Sequence, residues 1–169
     1  MTKEKRDALL ELARKLSMYS NEVEEDIILV LENPKEYIKK YASRLEDRGI
    51  YKPDEDLPWV ALADALIERK LAWEIDWQHS LEEVFSIINT LIIKRGFVEN
   101  KQSFYKSCIG VKLECILVDI SKRLSKSFLT LIYLDIDSDS YVLVVIPKVF
   151  FAEACQLAEK AGYSIRSFI

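Results

Sequence analysis

Scarcity does much of the narrowing in this chain. Of its 169 residues, four are glycine, three are cysteine and one is histidine. So few glycines leave neither a phosphate-cradling Walker loop nor a dinucleotide fingerprint. No Gly-x-Ser-x-Gly elbow presents a serine nucleophile. The lone His79 excludes a multi-histidine zinc site, and any Ser-His-Asp triad would have to pass through it. It adjoins Ser80 and reads as a surface or capping residue. The cysteines Cys108, Cys115 and Cys155 are odd in number and widely spaced, with no Cys-x-x-Cys pair, so a disulfide framework is not expected. Cys115 and Cys155 fall within apolar helical patterns and read as buried small hydrophobes. Cys108 has no base or cation cluster beside it to make it a reactive thiol. No apolar run approaches the length that spans a bilayer, and the charged stretch from Met1 to Asp7 is unlike a signal-peptide core. The expected location is cytoplasmic.

What is present is the composition of a soluble globular protein: 50% hydrophobic and 31% charged. A formal net charge of −4 gives no general attraction for nucleic acid or anionic lipid, so neither is expected as a partner.

The first 70 residues read as helices. Ala8, Leu9, Leu12, Ala13 and Leu16 share one face of a helix from Lys3 to Met18. Asn21 and Glu24 form a capping-box pattern for a second helix, which ends at Asn33-Pro34. Pro34 opens a third, with Glu36 completing another box and an apolar stripe that runs out at Gly49. A fourth starts at Pro58 and ends near Lys70, with Trp59 expected to pack between the helical part and a sheet.

The periodicity then changes to two. Leu71, Trp73, Ile75 and Trp77 alternate with Ala72, Glu74 and Asp76, which predicts a half-buried strand with both tryptophans as core anchors. Ser80 and Glu83 open a helix that reaches Gly96. Phe97 to Gly110 reads as loop. Leu113 to Leu124 fits a helix over more positions than a strand, and its basic end (Lys122, Arg123, Lys126) complements the helix dipole.

Leu129 to Pro147 (LTLIYLDIDSDSYVLVVIP) has two β-rich runs around a polar cluster, the signature of a β-hairpin. Lys148 to Ala161 is a helix closed by Gly162. Tyr163 to Phe168 is a final strand, expected at a sheet edge or paired with the first strand.

These pieces predict an α+β fold. About four N-terminal helices pack on a ferredoxin-like βαββαβ sheet of four strands, antiparallel or mixed, with one extra helix. In that topology the first and third strands are central, and Val142 to Ile146, apolar throughout, suits a strand buried on both faces. Residues 1–70 would cover one sheet face and 71–169 carry the sheet, together forming one cooperative domain.

Two carboxylate groups are the candidate chemistry. Asp135, Asp137 and Asp139 resemble the opening of an EF-hand loop, but Ser140 and Ile146 stand where that loop needs glycine and glutamate. A different divalent-ion site, or simply a polar turn bonding its own backbone, remains. Glu74 and Asp76 share a strand face and could act as acid and base, or form the solvated half of an amphipathic strand. The basic and aromatic strand surface of an RNA-binding sheet is missing.

PWVALADALIERKLAWEIDW (58–77), LDIDSDSYVLVVIP (134–147) and the closing AGYSIRSF (161–168) resemble an uncharacterised family of bacterial proteins of unknown function. The resemblance covers roughly residues 55 to 168. It implies the order of the elements and brings no activity, cofactor or catalytic residue with it.

The resulting expectation is a non-enzymatic protein without cofactor, in an accessory or immunity-like role, whose acidic face binds a basic protein partner. The competing reading is a carboxylate- or metal-dependent hydrolase using Glu74, Asp76 and the Asp135–Asp139 cluster. A third is homo-oligomerisation through the final strand across a two-fold axis.

Overall fold

A computed structural model describes residues 1–97 and 112–169. The loop expected from Phe97 to Gly110, apart from Phe97 itself, lies outside the described residues, as does Cys108.

The N-terminal part forms α1 (Lys3–Leu16), α2 (Asn21–Glu32), α3 (Pro34–Lys40), α4 (Ala42–Asp47) and α5 (Leu57–Glu68). Side-chain caps start α1, α2 and α3. Ser20, one residue before the expected Asn21, caps α2 by accepting the Val23 N–H. Asn33 caps α3 by accepting the Glu36 N–H at 3.3 Å, with Pro34 at the first helical position. The expected third helix is two pieces that break at Tyr41. Its hydroxyl donates to Asp26 on α2, and the Arg44 guanidinium lies 4.1 Å over its ring. Ahead of α5, whose N-cap Asp56 makes no side-chain cap bond, the Asp54 carboxylate accepts the N–H groups of Asp56 and Leu57 at 3.1 and 2.8 Å. Nine of the twelve residues of α5 are buried, as befits a helix apolar on almost every side.

The second part contains β1 (Trp73–Ile75), α6 (Leu81–Lys94), α7 (Leu113–Lys126), β2 (Leu129–Leu134), β3 (Tyr141–Pro147), α8 (Phe151–Ala161) and β4 (Ile165–Ser167). The Ser80–Glu83 capping box is complete in both directions. Gly162, at φ +95°, ends α8 in the left-handed conformation that costs glycine least.

The sheet order is β1-β3-β2-β4, with every pair antiparallel. This corrects the ferredoxin-like expectation, since the hairpin strands β2 and β3 are the central pair and β1 is an edge. The hairpin keeps its two strands adjacent, which leaves β1 to join the free side of β3 and β4 the free side of β2. The final strand is at an edge as expected, but its partner is β2 rather than β1.

The first strand is also shorter than its alternation suggested. Lys70 takes a left-handed φ of +58°, and the N–H groups of Leu71 and Ala72 both return to the Leu66 carbonyl at the end of α5. They are spent before the ladder begins. Beyond Ile75 a turn held by Asp76 and His79 ends the strand, and Trp77 is 75% exposed rather than a core anchor. Trp73 does pack partly buried against the sheet core.

Register explains the layers. Ile132, Leu134, Val142, Val144 and Ile146 face a core made with α1 to α5 and α8. Leu129, Leu131, Leu143 and Val145 face a second core made with α6 and α7. Val142 to Ile146 is fully buried on both faces. One cation ties the layers together: Arg95, just past α6, is buried with no carboxylate partner among the described residues and donates to the Leu16 and Leu71 carbonyls at 2.7 and 3.2 Å. Burial lowers its pKa to about 10. The carbonyl-rich ends of α1 and α5 supply the negative potential that holds it. Of the two cysteines expected to be buried, Cys155 is half-buried and Cys115 is exposed on α7.

Candidate functional site

Two regions gather charge. The first is a cleft of about 640 Å³ whose lining includes Tyr41, Arg44, Arg48, Asp64, Glu68 and Glu74. Glu74 points to the helical side of β1, while its neighbours Trp73 and Ile75 join the opposite core. There it meets Arg48, which donates to Glu74 at 2.6 Å and to Asp64 at 2.7 Å. Ser140 at the hairpin donates to the other Glu74 oxygen at 2.5 Å. Arg44 sits 3.3 Å from the second Asp64 oxygen and donates to the Tyr37 hydroxyl at 2.8 Å. The Asp64 side chain is only 3% exposed.

The titration of these groups follows from their surroundings. Burial pushes Asp64 above the ordinary carboxylate range even between two guanidiniums. Burial also opposes ionisation of Glu74, but the bonds from Arg48 and Ser140 outweigh it and leave the group below its ordinary value. Arg48, pulled down by burial, is held above its usual range by Glu74 and Asp64. Glu74 therefore contributes stability above its unfolded pKa near 4.5 and loses it as pH falls through the lower folded value. Glu74→Gln should be less stable than the parent at pH 7, and the gap in urea midpoint should close below about pH 4. A gap independent of pH would show that Glu74 acts only by packing.

The second region lies at the far side of α5. Two clefts, of about 660 Å³ and 370 Å³, meet at Asp56, Gly162 and Tyr163. Asp54, Glu55 and Lys5 line the larger; Trp59, Asp135 and Asp137 line the smaller. The ring of Tyr163 stacks on Trp59 with centroids 4.8 Å apart and planes 7° from parallel. Its hydroxyl donates to the Glu55 carbonyl at 2.7 Å. Burial, reinforced by Asp56, Asp54 and Glu55, pushes Tyr163 up to about 12. Trp59 Nε1 donates to the Asp135 carbonyl at 2.8 Å, which hangs the hairpin tip from α5.

The sequence-predicted carboxylates are thus distributed, not convergent. Glu74 lines the first cleft, and Asp135 and Asp137 line the second region. Asp135 accepts the Asp137 N–H at 3.3 Å and pairs with Arg166 at 2.9 Å. Asp137 occupies a left-handed turn position, φ +54°, and Asp139 is exposed. Asp76 accepts the Gln78 N–H at 2.9 Å and lies 3.0 Å from the His79 ring, which lowers its pKa. Among the described residues no three His, Cys, Asp or Glu side chains gather as a metal site. None of their helices is long and apolar enough to cross a membrane.

Asp26, Arg44, Arg48, Asp64 and Tyr163 escaped the sequence reading. For Asp64 a signal existed: it is the one acid inside the apolar run Trp59 to Ile67, and an acid placed there must find a cation. Arg48 and Tyr163 carry no local mark.

No curated protein and no solved structure matches the chain. A family does match, over residues 8–168, nearly the whole length. The chain belongs to the family described as a domain of unknown function (DUF6630).

Proposed function

We propose that this chain is a non-enzymatic interaction module of the cytoplasm, in an accessory or immunity-like role, whose acidic trough docks a basic protein segment. The observation that carries the reading is the lining of the two joined clefts: Asp54, Glu55, Asp56, Asp135 and Asp137 around the stacked Trp59 and Tyr163, with Lys5 among them. Carboxylates beside the half-buried Tyr163 ring suit lysine and arginine side chains, whose stems pack on rings while their charges meet acids. The same potential repels phosphate backbones, which supports a protein partner over a nucleic acid.

The hydrolase reading has less behind it. Glu74 is committed to Arg48 and Ser140, Asp76 to its own turn and Asp135 to Arg166. A general base must reach the proton it removes. We also take residues 1–70 and 71–169 as one cooperative unit, because α1 to α5 and the even-numbered face of β2 and β3 share a single core.

Calorimetric titration with a short lysine- and arginine-rich peptide tests the docking proposal. The peptide is expected to bind at low salt and to lose affinity as salt rises. The double variant Asp54→Asn/Asp56→Asn, which keeps an acceptor for the N–H groups of residues 56 and 57, should bind about tenfold or more weakly. Equal affinity for parent and variant would sink the proposal.

A further inference from the structure

The pole of the molecule opposite the trough has its own unexplained chemistry. Helix α1 runs antiparallel to α8: Lys15 meets Glu153 at 2.9 Å at one end, while Lys5 lies against Gly162 at the other. The hairpin spans the same axis. Phe128 precedes β2 and its carbonyl accepts the N–H of Lys148, whereas Asp135 to Ser140 close the far end. At this pole Tyr19, just past α1, and Phe128 and Val149, at the two ends of the hairpin strands, are 68%, 78% and 90% exposed, with Lys126 and Lys148, near Phe128 and Val149 in the chain, exposed as well. Phe128 takes a left-handed φ of +59°, a conformation that opposes a bulky side chain. A strained backbone that holds a phenyl ring in water suggests a function for that ring.

We propose that this apolar, lysine-flanked pole is a docking surface and that its occupant is the acidic trough of a second copy of the chain. Charge complementarity carries the choice of occupant. One pole offers apolar anchors between lysines, and the other, about 20 Å away along α1, offers carboxylates around an aromatic stack. Such surfaces, being different on each partner, join copies head to tail rather than across a two-fold axis. The inference rests on the trough being a docking site for basic segments, and it names the segment.

Three proteins test it by sedimentation velocity over a range of concentration at low salt: the parent, Phe128→Gly/Val149→Asp, and Asp54→Asn/Asp56→Asn. Glycine suits the backbone at residue 128, so the pole variant should fold at least as well as the parent. The parent's average mass should climb with concentration and fall back on adding salt. Each variant alone should sediment as monomer. Mixed in equal amounts they should form a species of twice the monomer mass and nothing larger, because each retains the one surface the other lacks. A parent that stays monomeric throughout, or variants that fail to complement one another, would overturn the proposal. So would a monomeric parent that co-sediments with phosphatidylserine vesicles through Phe128, which would assign the pole to a lipid surface. If the basic peptide still binds the trough while the parent stays monomeric, the trough reading survives and self-docking alone fails.

Discussion

Trp59→Ala is expected to destabilise the chain by about 4 kcal/mol, within the range for truncating a buried aromatic residue. The side chain is 2% exposed, so alanine would leave a cavity bounded by α5 and the hairpin. The loss goes beyond volume. The Nε1 donor to the Asp135 carbonyl and the stack on Tyr163 disappear together, and the Asp135 carbonyl is left without that partner. Trp59→Phe separates the contributions: it keeps most of the ring contact and should cost about 1–2 kcal/mol, the size of a lost buried hydrogen bond. Urea unfolding of the three proteins measures both. If alanine and phenylalanine cost the same, the hydrogen bond rather than packing anchors the hairpin tip.

The second large effect is expected at Asp64. Removing one member of a buried ion-pair network typically costs about 3–5 kcal/mol, because the remaining charges are stranded. Asp64→Ala should fall near the lower end, about 3 kcal/mol, since Arg44 and Arg48 keep 25% and 21% side-chain exposure and can rehydrate. Removing Arg48 as well should cost less than the sum of the two single changes, because the pair is lost only once. A thermodynamic cycle over Asp64→Ala, Arg48→Met and the double variant measures that coupling. Strict additivity would mean that the ion pair, close as it is, contributes nothing to stability.

Much of the fold was legible because its signals are local. Ser80 and Glu83 lie three residues apart and fold on themselves into a cap. The hairpin's two runs flank their own turn, and the apolar stripe through Ile116, Ile120 and Leu124 repeats at helical spacing. What the residues could not announce is non-local. Nothing in Trp73 to Ile75 says that its partner is Tyr141 to Leu143, and the ferredoxin-like order failed for that reason. The first strand was overextended because alternation records which residues are apolar, not which N–H groups are already spent on the helix before. Trp77 obeyed the alternation and still reached solvent, once the Asp76–His79 turn had ended the strand.

The charged sites divide along the same line. Glu74 was found from the sequence as an acid on a strand, but its behaviour is set by Arg48, Asp64 and Ser140, which come from three other segments. Taken without those partners, a carboxylate looks like a general base. With them, it fastens an edge strand to the helices beneath it.

The strand order also constrains how the chain reaches its native state. The β2–β3 hairpin can close locally, whereas Trp73 pairs with Leu143 and Glu74 with Val142, so β1 cannot be placed until most of the chain has been made. Bringing such distant segments together carries the entropy of a long loop before any ladder bond rewards it. Placement of β1 is therefore expected after the hairpin has closed, and the Arg48–Glu74 bond that locks it is expected to form late. Weakening that bond should speed unfolding more than it slows folding.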